Sequence, residues 1–159
     1  MSTAPFPENE NARLNALTEY RILDTPSEKI FDDITRLAAT VCEVPIALIS
    51  FIDRDRQWFK SLHGWCEARE TSREVAFCAR AILQPELMEI PDTLEDPRFH
   101  DDPLVVNSPH IRFYAGVPLM TADGYALGTI CVMDHQSGSL SALQRTVLQE
   151  LAQVVVSQL

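Results

Sequence analysis

The run Ile46-Ala47-Leu48-Ile49-Ser50-Phe51-Ile52 is apolar at both odd and even positions, interrupted only by Ser50. Successive side chains of a strand point to opposite faces, so a strand of this composition needs cover on both sides. Layers of other structure must therefore lie above and below the sheet that holds it. A chain of 159 residues can supply them within one domain. The run is also far short of the ~20 residues that cross a bilayer.

The rest of the chain reads as elements around that strand. Glu10 to Tyr20 holds Leu14 and Leu17 among good helix formers and predicts a short helix. Thr25-Pro26-Ser27-Glu28 predicts a helix start, with Thr25 as cap, Pro26 in the first helical position and Glu28 closing a capping box. Behind it Ile30, Phe31, Ile34, Leu37, Ala38 and Val41 recur at helical spacing. Gln57 to Leu62 reads as a strand returning from a turn at residues 53–56, with Trp58 and Phe59 on opposite faces. Val75, Cys78, Ala79 and Ile82 predict another helix, and Leu87 to Ile90 a short strand. Asp92 to Pro109 reads as a long loop, which in a compact domain tends to carry function. Ile111–Met120 and Tyr125–Met133 predict a hairpin, and Leu140, Leu143, Val147, Leu151 and Val154 a closing helix. Adjacent hairpins with flanking helices make an α+β layered fold.

Thirteen basic against 23 acidic residues leave a net charge of −10, a field that repels phosphate backbones and anionic membranes. Neither nucleic acid nor a membrane is expected as a partner. Met1 to Asn11 lack the apolar stretch of a signal peptide. Cys42, Cys66, Cys78 and Cys131 are therefore expected to be reduced thiols in a cytoplasmic protein. His63 and Cys66 stand three apart without a second pair at ligand spacing, so no metal is expected. Asp92, Glu95, Asp96, Asp101 and Asp102 do not follow a calcium-loop pattern. Turn formation and helix capping are their expected duties.

Several phrases, in order, resemble one family. They are Arg21-Ile22-Leu23-Asp24-Thr25, Pro45-Ile46-Ala47-Leu48-Ile49-Ser50-Phe51, Gln57-Trp58-Phe59-Lys60, Phe77-Cys78-Ala79, Asp96-Pro97-Arg98-Phe99, Ile111 to Leu119, and Leu127 to Val132. Together they are similar to GAF domains of the subgroup found ahead of bacterial histidine kinases and diguanylate cyclases. The resemblance runs from about Asp24 to the last residue, after a lead and short helix over 1–23. It implies a three-layer fold, with a central antiparallel sheet and the N- and C-terminal helices on one face. A helix and the long loop would roof a pocket on the other. Ala76 and Arg80 depart from the Ser and His that flank the helix cysteine in that subgroup.

What the resemblance implies for function is a sensory domain binding a small molecule of unknown identity, without catalysis of its own. By position the ligand would meet Ser50, Phe59, Phe77, Cys78, Asp92, Phe99, Arg112, Phe113, Tyr114 and Thr129. Arg112, Arg98, His100 and Tyr114 are the polar groups best placed for a carboxylate or phosphate, although structural ion pairs with nearby Asp residues are the favoured fate of both arginines. Cys78 reads first as a small buried hydrophobe. The loop Asn107-Ser108-Pro109-His110 holds no thiol, which counts against the bilin attachment and the nucleophile of free methionine-(R)-sulfoxide reductases found there in the family. A reductase using Cys78 instead is one alternative. Another is an interaction module whose pocket is filled by Phe77, Phe99, Phe113 and Tyr114. The resemblance also favours a homodimer through the terminal helices, and leaves room for a signalling partner protein.

Overall fold

The computed structural model describes residues 3–65 and 68–159. Cys66 lies outside the described residues, and with it the His63/Cys66 pair. Strand β1 (Ile46–Ile52) is buried along its whole length. It runs antiparallel between β2 (Arg56–His63) and β6 (Ala126–Asp134). With β3 (Glu70–Ser72), β4 (Met88–Ile90) and β5 (Phe113–Met120) the sheet has six strands in the order β3-β2-β1-β6-β5-β4. The long hairpin β5–β6 and the shorter β1–β2 thus meet along the central β1–β6 pairing. This is the α+β architecture that the both-face hydrophobicity of β1 demands.

One face carries α1 (Glu10–Tyr20), α2 (Lys29–Cys42) and α5 (Ala142–Ser157). Leu17, Phe31, Ile34, Ala38, Leu148 and Val155 pack there on Ala47, Ile49, Phe51, Val117 and Leu119. The other face is covered by short pieces: a 3-10 turn at Arg73–Val75, the single-turn α3 (Cys78–Ala81), a 3-10 turn at Thr93–Glu95 and α4 (Pro103–Val106). Phe77, Cys78, Ile82, Phe99 and Val105 lie there against Leu48, Phe59, Tyr114, Cys131 and Met133. Among the described residues no helix is long and apolar enough to cross a membrane.

Three expectations are corrected. The second helix begins at Lys29, not at Pro26, and Glu28 at its N-cap makes no side-chain cap. The expected capping groups serve a buried ammonium instead. Lys60 is fully buried, and its Nζ donates to Thr25 Oγ1 at 2.8 Å and to the Pro26 carbonyl at 2.6 Å. It also pairs with Glu28 at 2.7 Å. A buried charge needs such partners more than a helix end exposed to water needs a cap.

The buried stripe of α2 is also rotated from the expected one. Thr35 and Cys42 face inward, while Ile30 and Leu37 are 41% and 47% exposed. Thr35 reaches Ser61 at 2.9 Å, and Ser61 donates to Asp32 at 2.6 Å. These contacts turn polar residues of α2 toward β2. Lastly, the expected helix over 75–82 is reduced to α3. Arg73, only 5% exposed, is held by Glu10 at 2.6 Å and by the Asp53 carbonyl at 3.0 Å. That anchors the chain in a 3-10 turn before the helix can start. Strand β3 was not expected, since Glu-Thr-Ser carries no apolar alternation.

The acidic loop does serve turns and caps. Asp92 accepts from Leu94 N at 3.1 Å, and Asp102 accepts from Leu104 N at 2.9 Å to start α4. Burial pushes the Asp102 carboxyl up to about 6, the Asp101 charge adds to this, and the Leu104 amide opposes it. The folded state therefore binds more protons than the unfolded chain between the ordinary 3.8 and about 6. Stability falls as pH rises through that window. Asn caps as well as Asp and carries no charge. Asp102→Asn is expected to remove this pH dependence and to gain up to about 3 kcal/mol at pH 7, read from urea unfolding at pH 4 and pH 7.

Candidate functional site

The face beneath the short helices holds an unusual row of polar groups. Register places Ser50 of β1 opposite Thr129 of β6, with their hydroxyl oxygens 3.2 Å apart. Both residues are fully buried. The strands approach closely because Gly128 stands beside them, where a Cβ would overlap the Ser50 carbonyl oxygen. Thr129 donates to Cys78 Sγ at 2.9 Å. The same sulfur lies 3.2 Å from Tyr114 Oη and 4.0 Å from Cys131 Sγ. α3 thus carries its thiol into the centre of the sheet.

Tyr114 owes its position to glycine and to a neighbouring ring. Its ring lies over Gly116, where a Cβ would strike the phenol. It stacks on Phe77 at 5.2 Å between centroids, and Phe77 packs on Phe99 at 4.9 Å. Between this group and β2 remains a void of about 10 Å³, lined by Gln57, Phe59, Trp65, Cys78, Tyr114 and Cys131 among others. That is about the least space one water needs. Gln57 Nε2 donates to Thr71 at 3.1 Å, but among the described residues Gln57 Oε1 is buried without a partner. An orphaned carbonyl beside a void marks where a hydrogen-bond donor would gain. A larger groove of about 320 Å³ runs between β5 and α5, past Leu87, Val117 and Val156. No ionisable side chain lines it.

The two thiols are not equivalent. Burial pushes Cys78 up, but hydrogen bonds from Cys131, Thr129, Tyr114 and Ser50 more than reverse this and leave it below the ordinary thiol value. Cys131 is pushed well up by its hydrogen bond to Cys78 and by burial. Tyr114 is pushed well up by burial and by the neighbouring sulfurs. Of the pair, Cys78 is the more readily ionised.

Seven of the expected residues come together here: Ser50, Phe59, Phe77, Cys78, Phe99, Tyr114 and Thr129. Phe113 does not. Alternation along β5 sends it with Ala115 and Val117 to the helix-covered face, so it cannot help to fill a pocket there. Asp92 and Arg112 bind each other in a two-pronged pair at 3.0 and 2.9 Å, apart from the void. Arg98 does the same with Asp96, at 3.0 and 2.8 Å, and His100 is exposed. Sequence reasoning missed Gln57, Trp65 and Cys131. The first and last share faces with Phe59 and Thr129, two residues along their strands, so alternation would have found them.

An antiparallel sheet with long helices on one side and short turns closing the other defines a three-layer α+β domain. Residues 26–159 match the GAF domain family, and the chain belongs to it. A cyclic di-GMP phosphodiesterase of Pseudomonas aeruginosa is 39% identical over 160 aligned residues, which cover 100% of this chain but 27% of that protein. The chain therefore spans about a quarter of that relative. In structure it is similar to the GAF domain of a phosphoenolpyruvate-protein phosphotransferase from Coxiella burnetii (TM-score 0.69, 12% identity, 94% of this chain and 91% of that one). It is also similar to a type II free methionine-R-sulfoxide reductase from Thermoplasma acidophilum (TM-score 0.66, 13% identity, 89% and 93%). At these identities the structural likeness concerns the fold.

If the donors around Cys78 hold its thiol down, removing one must raise it. Thr129→Val is expected to shift the pH profile of Cys78 alkylation upward and slow the reaction several-fold at pH 7, relative to Cys42 in the same sample. Burial alone pushes Cys42 up to about 11, so it serves as an internal reference.

Proposed function

We propose that this GAF domain is a sensor of a small molecule in bacterial signal transduction and catalyses no reaction itself. The observation that carries this reading is Gln57, which lines the void beside Cys78, Tyr114 and Cys131 and whose buried Oε1 has no partner among the described residues. The void is too small for any metabolite, so entry requires the α3 roof to move. The likeness to a quarter of a cyclic di-GMP phosphodiesterase supports a place in the control of cyclic di-GMP turnover. The ligand best suited to the site is small and neutral, with a donor for Gln57. The arginines considered for an anion are already taken by Asp92 and Asp96.

The protein is also proposed to act as a homodimer, through α5 together with α2 rather than α1, whose Leu14 and Leu17 are buried. On α2, Ile30 and Leu37 stay exposed, and on α5, which packs against it, Leu143 and Val154 are 70% and 40% exposed. Apolar side chains at helical spacing in water favour a second copy. A signalling protein that reads the helix layer is the remaining partner in this account. Leu143→Glu and Leu37→Glu are expected to give monomers in sedimentation velocity without loss of thermal stability. Unchanged dimers would remove these helices as the interface, and a monomeric parent would remove the dimer.

A second reading, reduction of a small sulfoxide through Cys78, is favoured by the hydrogen bonds that lower that thiol. The two readings part in one experiment. Native mass spectra of the purified protein, with metabolite extract added, are expected to show an adduct that is lost on denaturation and absent in Gln57→Leu. Turnover of free methionine sulfoxide that disappears in Cys78→Ser would favour the reductase. Neither adduct nor turnover would favour an interaction module packed by its own Phe77, Phe99 and Tyr114.

A further inference from the structure

Cys78 and Cys131 belong to different layers. The first sits on the one-turn helix α3 of the roof, the second in the middle of β6. Their sulfurs are 4.0 Å apart, and both are buried. A disulfide needs about 2.05 Å, so an approach of about 2 Å closes the bond. A roof of one turn can make that approach, because few backbone hydrogen bonds resist its shift. The paired strands beneath it cannot move as far.

We infer that Cys78 and Cys131 are a redox pair, joined by a reversible disulfide when hydrogen peroxide reaches the buried face, and that this bond locks the roof onto the sheet. The steps balance. The Cys78 thiolate attacks one peroxide oxygen, the O–O bond breaks, and the departing hydroxide takes a proton to leave as water. Cys78 becomes a sulfenic acid. The Cys131 sulfur then attacks the Cys78 sulfur, the S–O bond breaks, and the hydroxyl leaves as a second water. The two thiols lose two protons and two electrons, and one hydrogen peroxide gains them. The surroundings divide the roles. Thr129 and Tyr114 hydroxyls point at Cys78 and stabilise it as the attacking thiolate, while Cys131 is left to resolve the sulfenic acid.

The consequence follows from geometry. Once bonded, Cys78 no longer offers its anion to Thr129 and Tyr114, and α3 cannot lift without breaking a covalent bond. Nothing in this inference rests on the small-molecule reading, since the disulfide forms whether or not a ligand exists.

Tryptic peptides make the test direct, because cleavage puts each cysteine in its own fragment: 37–54, 61–69, 74–80 and 113–145. The native protein is treated with hydrogen peroxide, alkylated in denaturant, and digested without reduction. The expected result is a species joining 74–80 to 113–145, two hydrogens lighter than the separate peptides and released by dithiothreitol, with Cys42 alkylated. Both peptides recovered alkylated would overturn the inference, as would Cys78 joined to Cys66 or oxidised beyond sulfenic acid without a cross-link. In Cys131→Ala, dimedone is expected to trap a sulfenic acid at Cys78. If that variant does not fold, the map of the parent protein still decides.

Discussion

The hydroxyls of Ser50 and Thr129 meet 3.2 Å apart at the centre of the sheet, where neither is exposed to water. An unsatisfied buried hydroxyl costs about 1–3 kcal/mol, so the layer above must supply partners. Cys78 supplies one, Tyr114 reaches the same sulfur, and Phe77 and Phe99 close over Tyr114. The position of the roof follows from this chain of contacts. So does its small size: a single turn suffices to deliver one thiol and two apolar neighbours. The sensory reading and the redox pair both grow from the same polar seam in an apolar interior.

A second set of buried contacts joins the roof to the helix layer. Glu10 of α1 binds Arg13 at 2.9 Å and Arg73 at 2.6 Å. Arg13, with no exposed surface, also donates to the Ile52 carbonyl at 2.7 Å and to that of Ala126 at 3.3 Å. Burial pushes the Glu10 carboxyl up, but hydrogen bonds from Arg73 and Arg13 bring it below its ordinary value. One carboxylate thus ties the N-terminal helix, the end of β1 and the 3-10 turn that leads into α3. Removing one member would strand charge in the interior. Displacement of the roof is therefore felt in α1 through rigid, short contacts rather than through a flexible loop.

The layer plan was legible because it rests on period and parity. The two-faced run 46–52 demanded cover on both sides, the hairpin 111–133 announced itself by its turn, and α1 followed from Leu14 and Leu17. The closing helix followed from Leu140, Leu143, Val147, Leu151 and Val154, but its buried stripe is Leu148, Leu151, Ala152 and Val155, and Leu143 and Val154 face outward. Errors arose where a buried charge or hydroxyl overrode a local signal. Lys60 took the acceptors of a promising capping box, Ser61 rotated α2 by drawing in Thr35, and Arg73 shortened the roof helix. Such partners are 20 to 63 residues apart in the chain, and periodicity does not carry that distance. At the site, seven of the expected residues came together, whereas Phe113 failed by one position of strand parity and Asp92 and Arg112 bind each other away from it. Gln57 was missed although alternation along β2 puts it on the face of Phe59.

Both proposals require that the roof over the buried face opens separately from the sheet beneath it. Native-state amide exchange followed by mass spectrometry measures this directly. Residues 78–82 are expected to exchange through a local opening of lower free energy than global unfolding, little affected by dilute urea, while β1 and β6 exchange only on global unfolding. Exchange of 78–82 at the same free energy and with the same urea dependence as β1 and β6 would contradict it, because the roof would then be part of the core.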